Sequence, residues 1–93
     1  MKELAITLEQ LLQPLRSDER VGPVHVCVYL ALLQCGGGRK GWFHIQRDEV
    51  MRLAKIKGRR TYYRVMGELA EIGFVEYWAS RNGKSGSRVR MGS

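Results

Sequence analysis

The stretch from Gly58 to Phe74, GRRTYYRVMGELAEIGF, constrains the fold of this chain more than any other stretch. Its apolar residues recur every three or four positions, which forms one stripe along an α-helix and does not fit a strand. The stripe consists of Tyr62, Val65, Met66, Leu69 and Ile72. Gly73 follows directly, where a left-handed C-terminal cap favours a residue without a Cβ, and Phe74 stands where a residue folds back on the last turn. The pattern predicts an amphipathic helix that ends at Ile72.

The opposite face of this predicted helix is basic in its N-terminal half. It carries Arg59, Arg60, Thr61, Tyr63, Arg64 and Gly67, and the C-terminal half carries Glu68 and Glu71. An apolar stripe that packs on the domain, combined with guanidinium donors on the solvent-exposed face, suits a helix that enters the major groove of DNA. Two solvated arginines that bind nothing are the alternative for Arg60 and Arg64, and we favour contact with DNA.

The net charge of +7 is confined to the part of the chain that contains this helix. Residues 1–37 carry three basic and four acidic side chains, whereas residues 38–93 carry thirteen basic and five acidic ones. A one-sided basic field points to a polyanionic partner, most simply nucleic acid. A charged face that only aids solubility is the alternative. The recurrence of basic residues on three successive predicted elements favours the polyanion.

Length and cysteine usage limit the class of protein further. Ninety-three residues, 44% of them apolar, predict one domain with a small core. No apolar run is long enough to span a bilayer, and the first ten residues lack the apolar segment of a secretory signal. Cys27 and Cys35 fall in one predicted helix with Cα atoms about 12 Å apart, too far for a disulfide. Free thiols fit a cytoplasmic protein, which is the location we expect.

The sequence contains no set of residues that indicates catalysis or a cofactor. It shows no nucleophile paired with a base, no paired carboxylates, and no second pair of ligands for a metal beside the cysteines. His25 and His44 are far apart in the sequence and each stands among apolar residues, and for His25 a core or interface role is more common than a ligand role. The three glycines at 36–38 lack both a preceding strand and a following GK[ST], which disfavours a nucleotide loop. We predict no enzymatic activity, no cofactor and no metal, and no small-molecule ligand is evident from the sequence.

The remaining segments predict an ordered series of short elements. The first is a Leu-rich helix that starts at Leu8 and is ended or kinked by Pro14. A core helix over about 23–34, a short strand over 42–45 and a helix over about 47–54 follow. The last element is a hairpin with strands VEYWAS and SRVRM around the tip RNGKSG. Residues 55–58 form a tight basic turn into helix 59–72. Two helices joined in this way fit a helix-turn-helix.

Residues 1–20 are predicted to be a helical extension of a domain that spans residues 21–93. The leucines at positions 4, 8, 11, 12 and 15 have helical spacing. They can pack back on the domain's own core or form the contact of a homodimer. We expect mainly packing on the core, with some contribution to a dimer.

The order helix, short strand, helix, turn, helix and hairpin is that of a winged helix-turn-helix. Residues 22–91 resemble winged-helix DNA-binding proteins, most closely small bacterial ones associated with conjugative mobile elements. The resemblance is carried by GPVHVCVYLAL, by IQRDEVMRLAKIKGRRTYYRVMGELAEIGFVEY and by the wing SRNGKSGSRV. It implies an α+β, mostly α, fold: a three-helix core with a β-hairpin wing, here with an extra N-terminal helix. Two departures are Gln46, where such helices usually open on Ser, Thr or Asn, and the wing residues 83–85, where that group tends to have an aromatic residue and a proline.

The resemblance also implies a set of DNA-binding residues, with helix 59–72 in the major groove and the wing on the backbone or minor groove. The set is Lys57, Arg59, Arg60, Thr61, Tyr63 and Arg64 on the helix and the turn before it, and Arg81, Lys84 and Arg88 on the wing. Arg47 and Arg52 reach phosphates if the preceding helix crosses the backbone. For Tyr63, packing at the edge of the core is an alternative of equal weight to contact with DNA.

Three aromatic residues outside the helix leave a further question open. Trp42, Tyr77 and Trp78 can stack on unpaired bases, but such residues more often fill the seam between helices and sheet. We assign Tyr77 to the core, and we single out Trp78 because strand alternation points it outward. An exposed Trp78 is the feature that favours binding of RNA or single-stranded DNA.

We expect a sequence-specific double-stranded DNA-binding protein that regulates transcription or a mobile element. Its affinity would come from counterion release by the basic residues, and its specificity from the first turns of helix 59–72. The alternative from another class is a winged-helix protein-interaction module in a replication or DNA-transfer complex, since the fold alone does not decide the function.

Overall fold

A computed structural model describes residues 12–36, 41–79 and 86–91 of the chain. Within these residues the fold is α+β and mostly helical, as predicted, with a small antiparallel sheet of three strands. The helices are α1 (residues 12–17), α2 (Pro23–Gly36), α3 (Arg47–Ala54) and α4 (Arg59–Ile72), and the strands are β1 (Trp42–Ile45), β2 (Val75–Trp78) and β3 (Ser87–Met91). None of the helices in these ranges is long and apolar enough to cross a bilayer.

Helix α1 continues through Pro14 and ends at residue 17. Pro14 therefore does not end the helix, whereas the alternative that it kinks the helix stays a prediction. Leu15, the next residue, is fully buried in the core, and its packing outweighs the local preference of proline. The expected start at Leu8, and the leucines at positions 4, 8 and 11, lie outside the described residues. A contribution of this segment to a dimer stays a prediction.

Helix α2 is the central helix of the core, with Val28, Tyr29 and Leu32 almost completely buried. It extends two residues beyond the predicted end at residue 34 and stops at Gly36. A Cβ at Gly36 would lie 2.8 Å from Cζ of the Phe43 ring. The end of α2 therefore needs a residue without a side chain, because the aromatic ring of β1 packs directly on its backbone.

Helices α3 and α4 have the predicted bounds and are joined by residues 55–58. The buried stripe of α4 consists of Tyr62, Val65, Met66 and Leu69. Gly73 has φ 104°, and the N–H groups of Gly73 and Phe74 donate to the carbonyl oxygen of Leu69 at 3.1 and 3.0 Å. The Phe74 ring meets Tyr29 edge to face, with centroids 6.4 Å apart. The predicted C-terminal cap of α4 is therefore confirmed.

The three strands form a sheet in the order β1-β3-β2, so β1 joins the predicted hairpin as a third strand. The inward side chains Phe43, Ile45, Val75 and Val89 are buried against the helices. Strand β2 ends at Trp78, and the alternation ends with it, so Ala79 is exposed. The predicted strand VEYWAS is therefore two residues longer than β2. Tyr77 is partly buried against the core, as expected.

Gly86 marks the start of β3 and is closely packed. Its φ of 71° is in the left-handed region, and a Cβ there would lie 2.6 Å from the carbonyl oxygen of Ile45 and 2.9 Å from Nε2 of Gln46. Handedness and space therefore both favour glycine at this position.

The two cysteines are free, as the sequence predicts. Cys27 is exposed and Cys35 is partly buried. Burial is the largest cause that raises the pKa of the Cys35 thiol, followed by the nearby carboxylate of Glu49. Cys35 is therefore a weak nucleophile at neutral pH.

Candidate nucleic-acid interface

The segment that contains α3, the turn and the first half of α4 concentrates positive charge. Residues 47–64 carry seven basic and two acidic side chains, a net charge of +5. Part of this segment forms a surface that we call the α4 basic face, which consists of Arg47, Lys57, Arg59, Arg60, Tyr63 and Arg64. On a helix, residues three or four positions apart are neighbours, so Arg60 lies beside both Tyr63 and Arg64.

The N-terminus of α4 lacks the features that usually stabilise the start of a helix. Gly58 is the N-cap and makes no side-chain capping bond, and the first turn contains no acidic residue. Instead, Arg59 and Arg60 stand at the positive end of the helix dipole, where each cation costs about 0.3–1 kcal/mol. Free backbone N–H groups and two guanidinium groups here form an environment that attracts an anion.

Lys57, Arg59 and Arg60 are exposed and have no partner among the residues that the structure describes. None of the three makes an ion pair or a side-chain hydrogen bond within the described part of the chain. Most other arginines that the structure describes are engaged: Arg20 with Asp18, Arg47 with Asp48, Arg64 with Glu68, and Arg90 with Glu76. The three unpaired cations can therefore bind a partner without first breaking an internal contact.

Arg47 links the start of α3 to α4. Its Nη1 donates to the hydroxyl oxygen of Tyr63 at 3.2 Å, and its Nε donates to Oδ1 of Asp48 at 3.1 Å. The hydrogen bond to Tyr63, more than the one to Asp48, raises the pKa of Arg47 above its ordinary value. The Tyr63 side chain is 47% exposed and its ring meets that of Tyr62 edge to face. Its hydroxyl therefore lies at the surface beside a cation, whereas Tyr62 is the core residue.

Arg64 shares a carboxylate with a buried histidine of α2. Its Nη1 lies 3.4 Å from Oε1 of Glu68, and Nε2 of His25 lies 3.0 Å from the same oxygen. The N–H of Gly22 donates to Nδ1 of His25 at 3.0 Å. In the neutral ring the proton must then be on Nε2, which donates it to Glu68. His25 is a core histidine, as expected, but no local sequence signal indicated its partner 43 residues away.

The remaining predicted DNA-binding residues divide into three groups. Thr61 is only partly buried and lies at the edge of the α4 basic face. Arg88 lies on the sheet, with its guanidinium carbon 5.3 Å from the centroid of the Trp78 ring, and the structure does not bring it together with the arginines of α4. Arg81 and Lys84 lie outside the described residues.

Trp42 is the exposed aromatic residue that the sequence interpretation missed. We expected the seam between helices and sheet as its more common place, but it is 45% exposed and lies beneath the guanidinium of Arg90, 5.6 Å from the ring centroid. Phe43 and Ile45 take the inward positions of β1, and the two-residue period therefore turns Trp42 outward. Trp78 is 61% exposed, as predicted.

Comparisons of the chain with protein-family models, with curated proteins and with solved structures found no match. The resemblance to winged-helix proteins therefore stays a prediction from the sequence. A proposal for the function has to rest on the geometry and charge of the described residues.

Proposed function

We propose that this chain is a sequence-specific double-stranded DNA-binding protein with a winged helix-turn-helix fold. The observation that carries the proposal is the N-terminus of α4, where Lys57, Arg59 and Arg60 are exposed at the positive end of the helix dipole and make no pair with any described residue. A protein that used α4 only for stability would gain from acidic residues at these positions. The arrangement is costly for folding and favourable for a bound polyanion.

In this proposal, α4 lies in the major groove with its first turns against the base edges. Arg60 is placed to fork onto a guanine, since the guanidinium offers two parallel donors to its O6 and N7 atoms. Lys57 on the turn and Arg59 at the first position of α4 contact phosphates. Such contacts fix the position of the helix but carry no sequence information.

Arg64 contributes to DNA binding after it exchanges Glu68 for a phosphate. Its contact with Glu68 is long, at 3.4 Å, and exposed to solvent, and exposed ion pairs of this kind contribute little to stability. A phosphate can therefore compete with Glu68 for Arg64. Glu68 keeps its hydrogen bond to His25 in that event, so the carboxylate is not left without a partner.

Arg47 and Tyr63 form a second phosphate contact where α3 approaches the DNA backbone. Arg47 has donors beyond the two that bind Asp48 and Tyr63. The Tyr63 hydroxyl accepts from Arg47 and still has its own proton to donate. A regulator of transcription or of a mobile element is the biological role that this proposal suits best.

The test is the fluorescence anisotropy of a labelled 25-base-pair duplex, titrated with the protein over a salt series. Five cations on the α4 basic face predict that log K falls against log salt with a slope of about −4.5. Arg60→Ala combined with Arg64→Ala changes this slope to about −2.7 and weakens binding about 100-fold.

The matched control removes the same number of charges elsewhere. Arg16 and Arg20 are exposed and lie on α1 and the turn that follows it, so Arg16→Ala combined with Arg20→Ala should leave duplex affinity within about threefold. An equal loss in both double variants would show that only net charge matters, and would contradict a binding site on α4.

A further inference from the structure

The solvent side of the sheet carries six side chains in two rows. The register places Trp42, Arg90 and Glu76 side by side in one row, and His44, Arg88 and Trp78 in the next. All six are exposed. We call this surface the outer sheet face. It lies on the side of the sheet opposite the buried residues, and no residue of α3 or α4 belongs to it.

Each tryptophan on the outer sheet face has an arginine of the central strand over its ring. Arg88 lies over Trp78 at 5.3 Å and Arg90 lies over Trp42 at 5.6 Å, measured from the guanidinium carbon to the ring centroid. The strand register explains both pairs, because each arginine is directly opposite its tryptophan. The indoles and guanidinium planes are thus held in place on a rigid sheet.

Stability alone does not account for these two tryptophans. A cation–π contact at an exposed site contributes about 0.5–1 kcal/mol, whereas burial of so large a ring contributes more. Trp42 and Trp78 remain 45% and 61% exposed even with the arginines in place. Exposed large aromatic residues that cluster on one surface indicate a binding site.

The charges on this face favour an anionic partner. Arg90 is paired with Glu76. Arg88 has no carboxylate partner among the described residues, and its row contains only His44 and Trp78. A ligand that presents both flat aromatic rings and negative charge matches indole rings that flank a guanidinium group.

We propose that the outer sheet face is a second nucleic-acid site, distinct from the α4 basic face, which binds single-stranded nucleic acid by stacking of unpaired bases. Each base has a π-face, and both indole rings and arginine planes stack on such faces. In a duplex the bases are stacked on one another, so Trp42 and Trp78 find no free face there. The site therefore selects unpaired strands, with Arg88 bound to the backbone phosphates.

The spacing of the site fits a short stretch of an extended strand. Trp42 and Trp78 lie on the two outer strands of the sheet and one row apart. Strand spacing of about 4.8 Å and a two-residue repeat of about 6.7 Å put their Cα atoms about 12 Å apart. A few nucleotides can reach both rings, and the two arginines of β3 lie along the path between them.

The intrinsic fluorescence of the protein provides a direct test, because the chain contains two tryptophans and both lie on this face. The full chain is titrated at low salt with dT15, with U15 and with a blunt 25-base-pair duplex. Saturable quenching by dT15, by U15 or by both, and none by the duplex, supports the proposal. If neither dT15 nor U15 quenches the fluorescence, the proposal is overturned.

Substitutions then assign the signal to residues. Trp42→Phe and Trp78→Phe each leave one reporter and keep an aromatic ring, so each retains quenching and most of the affinity. Trp42→Leu and Trp78→Leu keep apolar bulk but remove the ring, and each weakens binding of labelled dT15 about tenfold. Far-UV circular dichroism checks that the leucine variants are folded. Wild-type affinity in folded leucine variants overturns the proposal.

A variant of the other surface separates this inference from the proposed function. The double variant Arg60→Ala with Arg64→Ala is expected to keep dT15 affinity within about threefold while duplex binding falls. If it loses dT15 and duplex binding together, single strands bind at α4 and the second site is disproved, with the duplex proposal intact. If the duplex does not bind at all but the quenching persists, the proposed function fails and the second site stands.

Discussion

Helices α3 and α4 are consecutive, and each buries one apolar face in the same core, yet their N-termini are electrostatic opposites. Asp48 and Glu49 occupy the first turn of α3, with Arg52 in its last turn, so the charges complement the helix dipole at both ends. The first turn of α4 contains Arg59 and Arg60 and no acid. Local stability explains the charges of α3 but not those of α4.

At the C-termini of the same two helices, α4 and not α3 has the more favourable capping residue. Helix α4 ends on Gly73 with φ 104°, which glycine adopts without strain. Helix α3 ends on Lys55 with φ 62°, a left-handed conformation that a residue with a Cβ adopts at a cost. The C-terminus of α4 is therefore better capped than that of α3. Lys55 and the start of α4 both lie at the basic connection between the two helices.

The two helices differ most where the local charges and backbone conformation lower the free energy of unfolding. Departures from local rules are expected at functional sites, and here they cluster within residues 55–60. The outer sheet face shows a related departure, since two large rings remain exposed on strands of four residues each. Exchange of the charges and capping residues between α3 and α4 therefore tests this interpretation.

The largest effect is expected from a reversal of charge at the start of α4. Arg59→Glu combined with Arg60→Glu should weaken duplex binding at least about 100-fold, because two contacts are replaced by repulsion from phosphates. The same change should raise the free energy of unfolding by about 1–2 kcal/mol, because acidic residues suit the helix dipole. Fluorescence anisotropy and urea unfolding measure the two quantities.

Opposite signs in binding and stability distinguish this expectation from a simple structural role. A variant that lost duplex binding because it was less stable would show a lower urea midpoint. That result would contradict the view that the start of α4 is built for an anion at the expense of folding.

The matching exchange on α3 should produce the next largest effect. Asp48→Arg combined with Glu49→Arg is expected to lower the free energy of unfolding by about 1–2 kcal/mol, since it opposes the helix dipole and removes the contact between Asp48 and Arg47. Duplex affinity should stay unchanged or increase. Urea unfolding monitored by circular dichroism gives the stability, and a decrease in duplex affinity would show that the α3 acids contribute to binding.

The helix C-termini should respond in opposite directions by about 1 kcal/mol each. Gly73→Ala is destabilising because an alanine must adopt φ near 104°, although its Cβ would meet no atom within 4 Å. Lys55→Gly is stabilising because it removes the cost of the left-handed conformation. Lys55→Ala is the control, since it removes the same charge without relief of the backbone. Thermal or urea unfolding of the three variants should give the order Lys55→Gly, Lys55→Ala, Gly73→Ala from most to least stable.

The smallest effect concerns the middle of α4, which contains a glycine where α3 has none. Gly67 is exposed, and a Cβ there would meet nothing within 4 Å. Gly67→Ala should therefore stabilise the fold by about 0.5–1 kcal/mol through helix propensity alone. Ala70→Gly in the same helix is the converse change and should destabilise it by at least as much. Equal unfolding midpoints for wild type and Gly67→Ala would contradict the open surroundings of this position.

The sequence was sufficient wherever the determining signal was local. The bounds of α4 followed from one apolar stripe and Gly73, and those of α3 from its short pattern before the basic turn. The sequence left open whether α1 ends or only bends at Pro14, because burial of Leu15 in the core is a tertiary effect. The sequence also could not show that Gly36 packs against Phe43, because that ring comes from another element.

The candidate site was predictable in composition but not in its contacts. Helical periodicity placed Arg59, Arg60 and Arg64 on one exposed face. It could not indicate that Arg47 donates to Tyr63 or that His25 and Arg64 share one carboxylate, because those partners come from separate elements. Nor could it settle the side of β1 on which Trp42 lies, because WFHI has an apolar residue at both alternating sets of positions.

Gly86 also has a consequence for protein engineering. Its backbone is fixed against Ile45 and Gln46, whereas Ala79, the last described residue after β2, is exposed. A design that changes the residues before β3 therefore has to keep Gly86 constant, because any Cβ at that position would clash with the carbonyl oxygen of Ile45.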